Sequence, residues 1–441
     1  MYHFRKQFTS AQIILLSYAV LICIGCLLLM LPWAAQQGKA PFFDALFTAV
    51  SASCVTGLIV QDTATYWSFF GQAVILLLIQ IGGLGVITTA MVFTRLSRRT
   101  ISLKQRSILQ DAITAPQVGG IVRLTSFIVK TSIIIELLGA ILLAPVFCSE
   151  FGMLRGIWYA LFHSVSAFCN AGFDLMGSYA PYASLTMFSA SPYMLSIIMC
   201  LIVIGGIGFL TWEDIRVHKH HLRRYTMQSK TILSCAMLLI IGPALYFFCF
   251  ELSDLPLAKR CQNALFQAVT TRTAGFNTVD LSKFSETGFL IIIILMLIGG
   301  APGSTAGGMK TTTCAVLFGT LVSVLRQKKD TQLFRRRIAA HTVRTAFSVA
   351  CFYFLLCIVS GSIICQIEHL PLLYCLFETA SALGTVGLSL GITHELSAVS
   401  KCILIILMYI GRVGSLTLIF SAASKKSAYN TTLPQEQITI G

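Results

Sequence analysis

A-L-F-T-A-V-S-A-S-C-V-T-G, residues 45–57, recurs three more times along this 441-residue chain. The copies are A-L-F-H-S-V-S-A-F-C-N-A-G (160–172), A-L-F-Q-A-V-T-T-R-T-A-G (264–275) and C-L-F-E-T-A-S-A-L-G-T-V-G (375–387). From Phe47, Phe162 and Phe377 the closing glycine falls ten residues on, and from Phe266 nine. Four copies of one unit define a repeat protein.

Each copy opens with a short apolar run and closes on small or β-branched residues before its glycine. From Asp44, an N-cap by residue type, to Cys54 is about eleven residues, or roughly 16 Å of helix, against a hydrocarbon core of ~30 Å. Such a helix cannot span a bilayer. It can enter, stop midway and return as extended backbone, which is tolerated at that depth only where it lines a cavity. A carbonyl-lined ion filter is built this way.

Composition agrees with a membrane setting. The chain is 56% hydrophobic and 11% charged, where a soluble domain is about a quarter charged. The formal charge of +15 lies in connections between apolar runs and forms no basic domain, so the bilayer and not nucleic acid is the expected partner. Fifteen cysteines are scattered through apolar runs; the pair Cys23 and Cys26 reads as helix packing, not redox or zinc chemistry. Residues 1–35 imitate a signal peptide, with Arg5, Lys6 and Ala34-Ala35, yet every repeat needs that helix, so retention is expected.

Two long apolar segments flank each short helix. Spanning helices are expected near 11–32, 69–95, 122–147, 190–211, 229–250, 286–323, 342–366 and 400–421, with re-entrant helices starting near 43, 156, 259 and 371. The implied fold is an all-α polytopic membrane protein of four membrane–pore-helix–membrane repeats around a pseudo-fourfold pore. The repeats run 11–96, 120–215, 228–325 (its second helix interrupted) and 340–422, with a short cytoplasmic tail at 423–441. The second long helix carries a signature of its own: Ile81-Gly82-Gly83-Leu84-Gly85, Ile204-Gly205-Gly206-Ile207-Gly208, Ile298-Gly299-Gly300 and Ile410-Gly411-Arg412-Val413-Gly414. Small residues there allow close helix approach.

Lysine and arginine set the orientation. One side holds Arg5, Lys6, Arg95, Arg98, Arg99, Lys104, Arg106, Arg216, Lys219, Arg223, Arg224, Arg326, Lys328, Lys329, Arg335, Arg336, Arg337, Lys425 and Lys426, and the other far fewer. The positive-inside rule then makes both termini cytoplasmic and points the four turns to the outer half of the membrane.

The turns read Val55-Thr56-Gly57, Asn170-Ala171-Gly172, Thr273-Ala274-Gly275 and Thr385-Val386-Gly387. Glycine lets carbonyls converge without an intervening Cβ, and four such strands would replace the hydration shell of a monovalent cation. Tight turns between packed helices are the competing reading. The chain resembles the Trk/Ktr/HKT superfamily of cation transporters, most nearly its KtrB-type subunits, the membrane components of Ktr potassium uptake systems. The likeness covers nearly the whole chain, with Thr271-Arg272-Thr273-Ala274-Gly275-Phe276-Asn277 its most characteristic segment. TrkH relatives carry an extra pair of N-terminal helices, and about ten residues here precede the first helix, which favours the KtrB type. In related plant proteins a serine at the first filter glycine goes with sodium. Glycine at all four positions therefore implies potassium selectivity.

The sixth long segment is broken by Gly299-Gly300-Ala301-Pro302-Gly303-Ser304-Thr305-Ala306-Gly307-Gly308-Met309-Lys310, which cannot continue as helix. It narrowly misses a phosphate-binding loop, because Met309 separates Gly308 from Lys310, and a transmembrane position also argues against ATP. Broken backbone at this depth should line the path, and in the resembling family this loop obstructs the pore. Gly300, Pro302, Gly303, Ser304, Thr305, Gly307, Gly308 and Lys310 are read as the gate, with a structural kink as the alternative. An arginine within a span costs ~2.5–3.5 kcal/mol on the insertion scale. Arg412 should therefore face a polar interior, against the carbonyls or hydroxyls of Gly303 to Gly307, or else snorkel to the boundary. Arg272, beside the third turn, is expected behind the filter, supporting it in a pair with Glu378.

Asp62, Asp174, Asp280 and Glu395 follow the turns and would concentrate cations at the mouth; ordinary solvated loop acids are the equal alternative. His218, His220 and His221 read as a solvated loop, Glu136 as a buried polar residue of unknown partner, and the sequon at Asn430 as cytoplasmic. The resemblance implies uptake of potassium ion, with activation by sodium left open by the sequence, and no nucleotide is expected on this chain. The resemblance implies a homodimer in the cell membrane, docked on a cytoplasmic octameric ring of KtrA-type subunits that bind ATP or ADP. A sodium transporter of the same fold is the first alternative. A membrane enzyme lacks any intramembrane catalytic constellation, and a transporter of inverted repeats would not show four parallel half-helix units.

Overall fold

The computed structural model describes residues 8–96, 102–113, 119–414 and 417. Arg5, Lys6, Arg98, Arg99, Lys425, Lys426, the tail at 423–441 and the sequon at Asn430 lie outside the described residues. The first unit comprises α1 (Ser10–Leu29), α2 (Phe42–Cys54), α3 (Thr63–Tyr66), α4 (Phe69–Leu84) and α5 (Val86–Leu96), and α6 (Leu103–Ile113) leads onward. The second holds α7 (Ile121–Phe151), α8 (Met153–Phe168), α9 (Pro192–Gly206) and α10 (Phe209–His218). The third holds α11 (Met227–Tyr246), α12 (Leu257–Thr270), α13 (Glu286–Leu297) and α14 (Thr311–Leu325). An antiparallel hairpin, β1 (Gln332–Leu333) and β2 (Arg336–Arg337), follows. The fourth holds α15 (Ala340–Glu368), α16 (Leu372–Gly384) and α17 (Ala398–Val413).

The short helices α2, α8, α12 and α16 form because small residues let them sit in the centre. Their phenylalanines Phe47, Phe162, Phe266 and Phe377 are at most 1% exposed, each anchoring its half-helix in a core of neighbouring helices. The first helices turn large apolar side chains outward, among them Ile141, Leu238 and Leu355. An apolar exterior of this kind marks a lipid-facing wall. Four described helices are long and apolar enough to cross a membrane alone: Ser10–Leu29, Ile121–Phe151, Met227–Glu251 and Ala340–Glu368.

Every second helix begins at a serine N-cap: Ser68, Ser191, Ser285 and Ser397 accept from Gly71, Met194, Gly288 and Ser400 amides, satisfying donors a helix start leaves orphaned. In the last two units an acid at the end of the preceding long segment clamps that serine. Glu251 accepts from the Ser285 amide and hydroxyl, and Glu368 from those of Ser397.

The expectation of continuous second helices, broken only in the third repeat, is corrected. α4 ends at Gly85, α9 at Ile207-Gly208 with a bend of 96°, and α17 at Gly414. Gly85, Gly208 and Gly414 have φ of 90°, 89° and 88°, a region that L side chains rarely enter. The last glycine of the repeated signature is therefore a helix breaker, which hydropathy alone does not register. The first glycine serves close approach: a Cβ on Gly82, Gly205 or Gly411 would strike the carbonyl of Ser53, Phe168 or Leu383 at the base of that unit's own turn.

Candidate ion pathway

Each half-helix ends in a left-handed residue, Val55 (φ 58°), Asn170 (59°), Thr273 (67°) or Thr385 (51°), followed two positions later by a glycine at φ 92°, 68°, 80° or 93°. The four turns form a closed ring. A Cβ on Gly57 would meet the Ala171 carbonyl and lie 3.1 Å from the Gly172 Cα. One on Gly172 would lie 2.7 Å from the Ala274 carbonyl, one on Gly275 would meet the Val386 carbonyl, and one on Gly387 the Thr56 carbonyl. The units thus follow one another in chain order around an axis, the second facing the fourth and the first facing the third. Carbonyl oxygens gathered at such a ring can coordinate a cation that has shed its water.

Hydroxyls brace the turns from behind. Ser51 and Ser381 accept from the Gly57 and Gly387 amides at 3.1 Å each. Ser166 and Thr270, at the matching positions, donate to the Phe173 and Phe276 carbonyls at 2.7 and 2.6 Å. A second set directly follows each repeated phenylalanine: Thr48, His163, Gln267 and Glu378, all buried. His163 Nε2 accepts the Leu175 amide at 3.4 Å and Glu378 the Leu390 amide at 3.1 Å, each three residues past its glycine. Sequence reading singled out neither the hydroxyls nor His163 and Gln267. Aligning the four copies column by column would have exposed both positions as polar in every unit.

The pairing expected between Arg272 and Glu378 is absent. Glu378 accepts from Ser389 Oγ at 2.6 Å, Leu390 N at 3.1 Å and Thr393 Oγ1 at 2.8 Å, so its own turn already satisfies it. Arg272 is buried beside Cys235 of α11, its Nε without a hydrogen-bond partner.

The segment between α13 and α14 folds back under the ring. Gly299 N donates to Met309 O at 2.7 Å and Thr311 N to Gly300 O at 3.0 Å, closing the loop. Its tip is held by the second unit through Ala301 N to Gly206 O (3.0 Å), Thr305 N to Gly205 O (3.3 Å) and Phe209 N to Gly303 O (2.7 Å), and by the fourth through Gly308 N to Gly411 O (3.2 Å). Thr305 Oγ1 donates to Phe168 O at 3.2 Å and Asn170 Oδ1 at 3.3 Å, while a Cβ on Gly307 would press on the Thr385 side chain. Ser304 and Lys310 bond within the loop, to Ala301 O and to Ala306 O. Pro302 begins its turn, and Gly300 abuts Ala306. Arg412 donates to Thr305 O, to Gly82 O and, at 3.0 Å, to Gly83 O of the first unit. The loop of the third unit thus touches the turns of both flanking units, the second and the fourth, and is tied through Arg412 to the first.

The four acids that follow the turns differ from one another. Asp62 caps α3 and accepts the Tyr182 amide at 3.1 Å. Burial pushes the Asp174 carboxyl up to about 7, with the Met176 amide opposing and Asp62 adding to the rise. Asp280 is held low, chiefly by the Ser282 hydroxyl, and Glu395 lies 3.6 Å from His394. His218 sits 3.6 Å from Asp214, and no group of three or more His, Cys, Asp and Glu among the described residues is placed to hold a metal ion.

Comparison with known proteins agrees with this architecture. The family described as TrkH, cation transport protein, matches residues 5–431. The chain is 38% identical to the potassium/sodium uptake protein NtpJ of Enterococcus hirae, over 99% of this chain and 98% of that protein. It is 36% identical to the Ktr system potassium uptake protein B of Bacillus subtilis, over 99% and 97%. In fold it is similar to the potassium transporter TrkH of Vibrio parahaemolyticus, with a TM-score of 0.74, 19% identity, and coverage of 96% of this chain and 87% of that one. The chain, a multi-pass helical membrane protein and not an enzyme, belongs to the TrkH family of cation transport proteins.

Proposed function

We propose that the chain is the ion-translocating subunit of a Ktr-type potassium uptake system in the cell membrane. Potassium enters from outside, exchanges water for the carbonyls of Val55-Thr56-Gly57, Asn170-Ala171-Gly172, Thr273-Ala274-Gly275 and Thr385-Val386-Gly387, and passes inward when the loop from Gly300 to Lys310 withdraws from beneath them. Inward flow is favoured by ~2.3 kcal/mol per charge per 100 mV, interior negative. Loop and ring are coupled because Thr305 bonds the Asn170 side chain while Arg412 bonds the Thr305 carbonyl. The observation that carries the reading is the cyclic contact of the four glycines, with the loop from Gly300 to Lys310 bonded to the units on either side of it.

Regulation is assigned to a partner. The Ktr-system names of relatives imply further subunits in those systems, and the exposed basic hairpin at Arg336 and Arg337 offers a cytoplasmic contact. The proposed assembly is a homodimer on a KtrA-type octameric nucleotide-binding ring, both termini cytoplasmic, with sodium as activator.

The test is cation flux into proteoliposomes, comparing potassium, rubidium and sodium with and without the ring partner. Potassium and rubidium flux well above sodium supports the proposal. The name of the Enterococcus relative joins sodium to potassium, so equal or sodium-favoured flux would select the sodium-transporter reading.

A further inference from the structure

Glu136 sits within α7, 5% exposed, and has no task in the pathway described above. Both of its carboxyl oxygens accept from the Gln80 side-chain amide of α4, at 2.9 and 3.0 Å. The thiol of Cys169, the residue immediately before the Asn170 turn, lies 3.9 Å from Glu136 Oε1 and 3.8 Å from Gln80 Oε1. On the other side, Ser164 of α8 donates to the Glu136 main-chain carbonyl at 2.6 Å. One carboxyl thereby joins the first long helix of the second unit, the second helix of the first unit and the base of the second turn.

The joint is tight. A Cβ on Gly83, three residues beyond Gln80 on the same helix face, would lie 2.7 Å from Cys169 Sγ. The adjacent carbonyls of Gly82 and Gly83 are the ones that accept from Arg412. An ionisable side chain inside a span is expensive, and where no basic partner bonds it, its worth lies in the groups it orients. Here those groups are Gln80 and Cys169.

We propose that Glu136 is a positioning residue for ion selectivity: through Gln80 and Cys169 it fixes the second turn of the ring against α4. Discrimination between cations depends on where carbonyls are held, so loss of this brace loosens one of the four turns while the other three keep their hydroxyl supports. The inference rests on the potassium-filter reading and deepens it.

The experiment is rubidium and sodium flux into proteoliposomes of the full chain carrying Glu136→Leu, Glu136→Gln, or the exchanged pair Glu136→Gln with Gln80→Glu. Glu136→Leu is expected to lower the rubidium-to-sodium ratio about tenfold, because the Gln80 amide loses its acceptor and the Cys169 thiol one of its two. Glu136→Gln, which still accepts from Gln80, is expected to lower it about threefold, and it carries the test if the leucine variant does not purify as a single species. The exchanged pair keeps one carboxyl facing one amide and is expected to restore the ratio to within about twofold. A wild-type protein that does not favour rubidium over sodium would sink the filter reading itself. A selective wild type with unchanged ratios in the single variants, or an exchanged pair no better than the leucine variant, would overturn the role of Glu136 alone.

Discussion

Arg412 of α17 donates to the main-chain carbonyl of Thr305, so a cation on the fourth unit holds the loop of the third unit in place. The same guanidinium reaches Gly82 O and Gly83 O of the first unit, with Nε 3.3 Å from Tyr18 Oη. Charge-assisted hydrogen bonds contribute about 1.5–3 kcal/mol each, and on the proposed pathway the positive charge would also oppose a cation arriving from the ring. Arg412→Ala is expected to raise rubidium flux through the chain without its partner by about tenfold or more. Flux at the wild-type level, from protein that purifies normally, would remove the clasp from the mechanism.

Thr305 supplies the other half of that attachment. Its hydroxyl donates to Phe168 O and Asn170 Oδ1 at the base of the second turn. Valine has the same shape without the donor, and one neutral hydrogen bond contributes about 1 kcal/mol. Thr305→Val should raise basal flux about fivefold, whereas Thr305→Ser, which keeps the donor, should stay within about twofold. Flux assays on the two variants side by side decide the matter, and equal behaviour of the two would refute a role for the hydroxyl.

The ring glycines differ from other glycines of similar backbone angle in what surrounds them. Gly387 has φ 93° and Gly391 φ 89°. A Cβ on Gly387 would meet the Thr56 carbonyl and lie 3.0 Å from the Gly57 Cα, while one on Gly391 would find nothing within 4 Å. Both alanine variants bear the backbone strain of about 1 kcal/mol, but only Gly387→Ala displaces the neighbouring turn. Potassium uptake in a deficient host should fall more than tenfold for Gly387→Ala and stay near normal for Gly391→Ala. Equal loss in both would reduce the ring to a set of ordinary turns.

Much of this architecture was legible in the sequence, and the reasons are physical. Four glycines nine or ten residues after four phenylalanines mark a backbone angle and an anchor, and both are local properties that a repeat displays openly. The breaks at Gly85, Gly208 and Gly414 were not read, because an apolar run looks the same to hydropathy whether it is one helix or two. Side-chain pairing is a property of three dimensions. Glu378 and Arg272 have opposite charges and lie near neighbouring turns, yet Ser389 and Thr393, eleven and fifteen residues downstream of Glu378, claim its carboxyl first. Glu136 was recognisable as out of place, but its partners come from positions 80 and 169, a juxtaposition only the fold makes.

The satisfied state of Glu378 leads to a test of charge exchange. If Arg272 and Glu378 were an ion pair, reversing both charges would restore what either reversal destroys. The structure gives Glu378 three donors on its own chain segment and leaves Arg272 beside Cys235 instead. An arginine at 378 cannot accept from the Leu390 amide or the Thr393 hydroxyl, so the strand after Gly387 loses its anchor whatever stands at 272. Uptake by Arg272→Glu/Glu378→Arg is therefore expected to remain as low as that of Glu378→Arg alone, more than tenfold below wild type. Glu378→Gln, which keeps an acceptor for Leu390, should lose about threefold at most. Rubidium uptake in whole cells reads these three variants and Arg272→Glu alone, and recovery of the double variant to several times the level of either charge reversal would establish that the two charges meet in a working state of the protein.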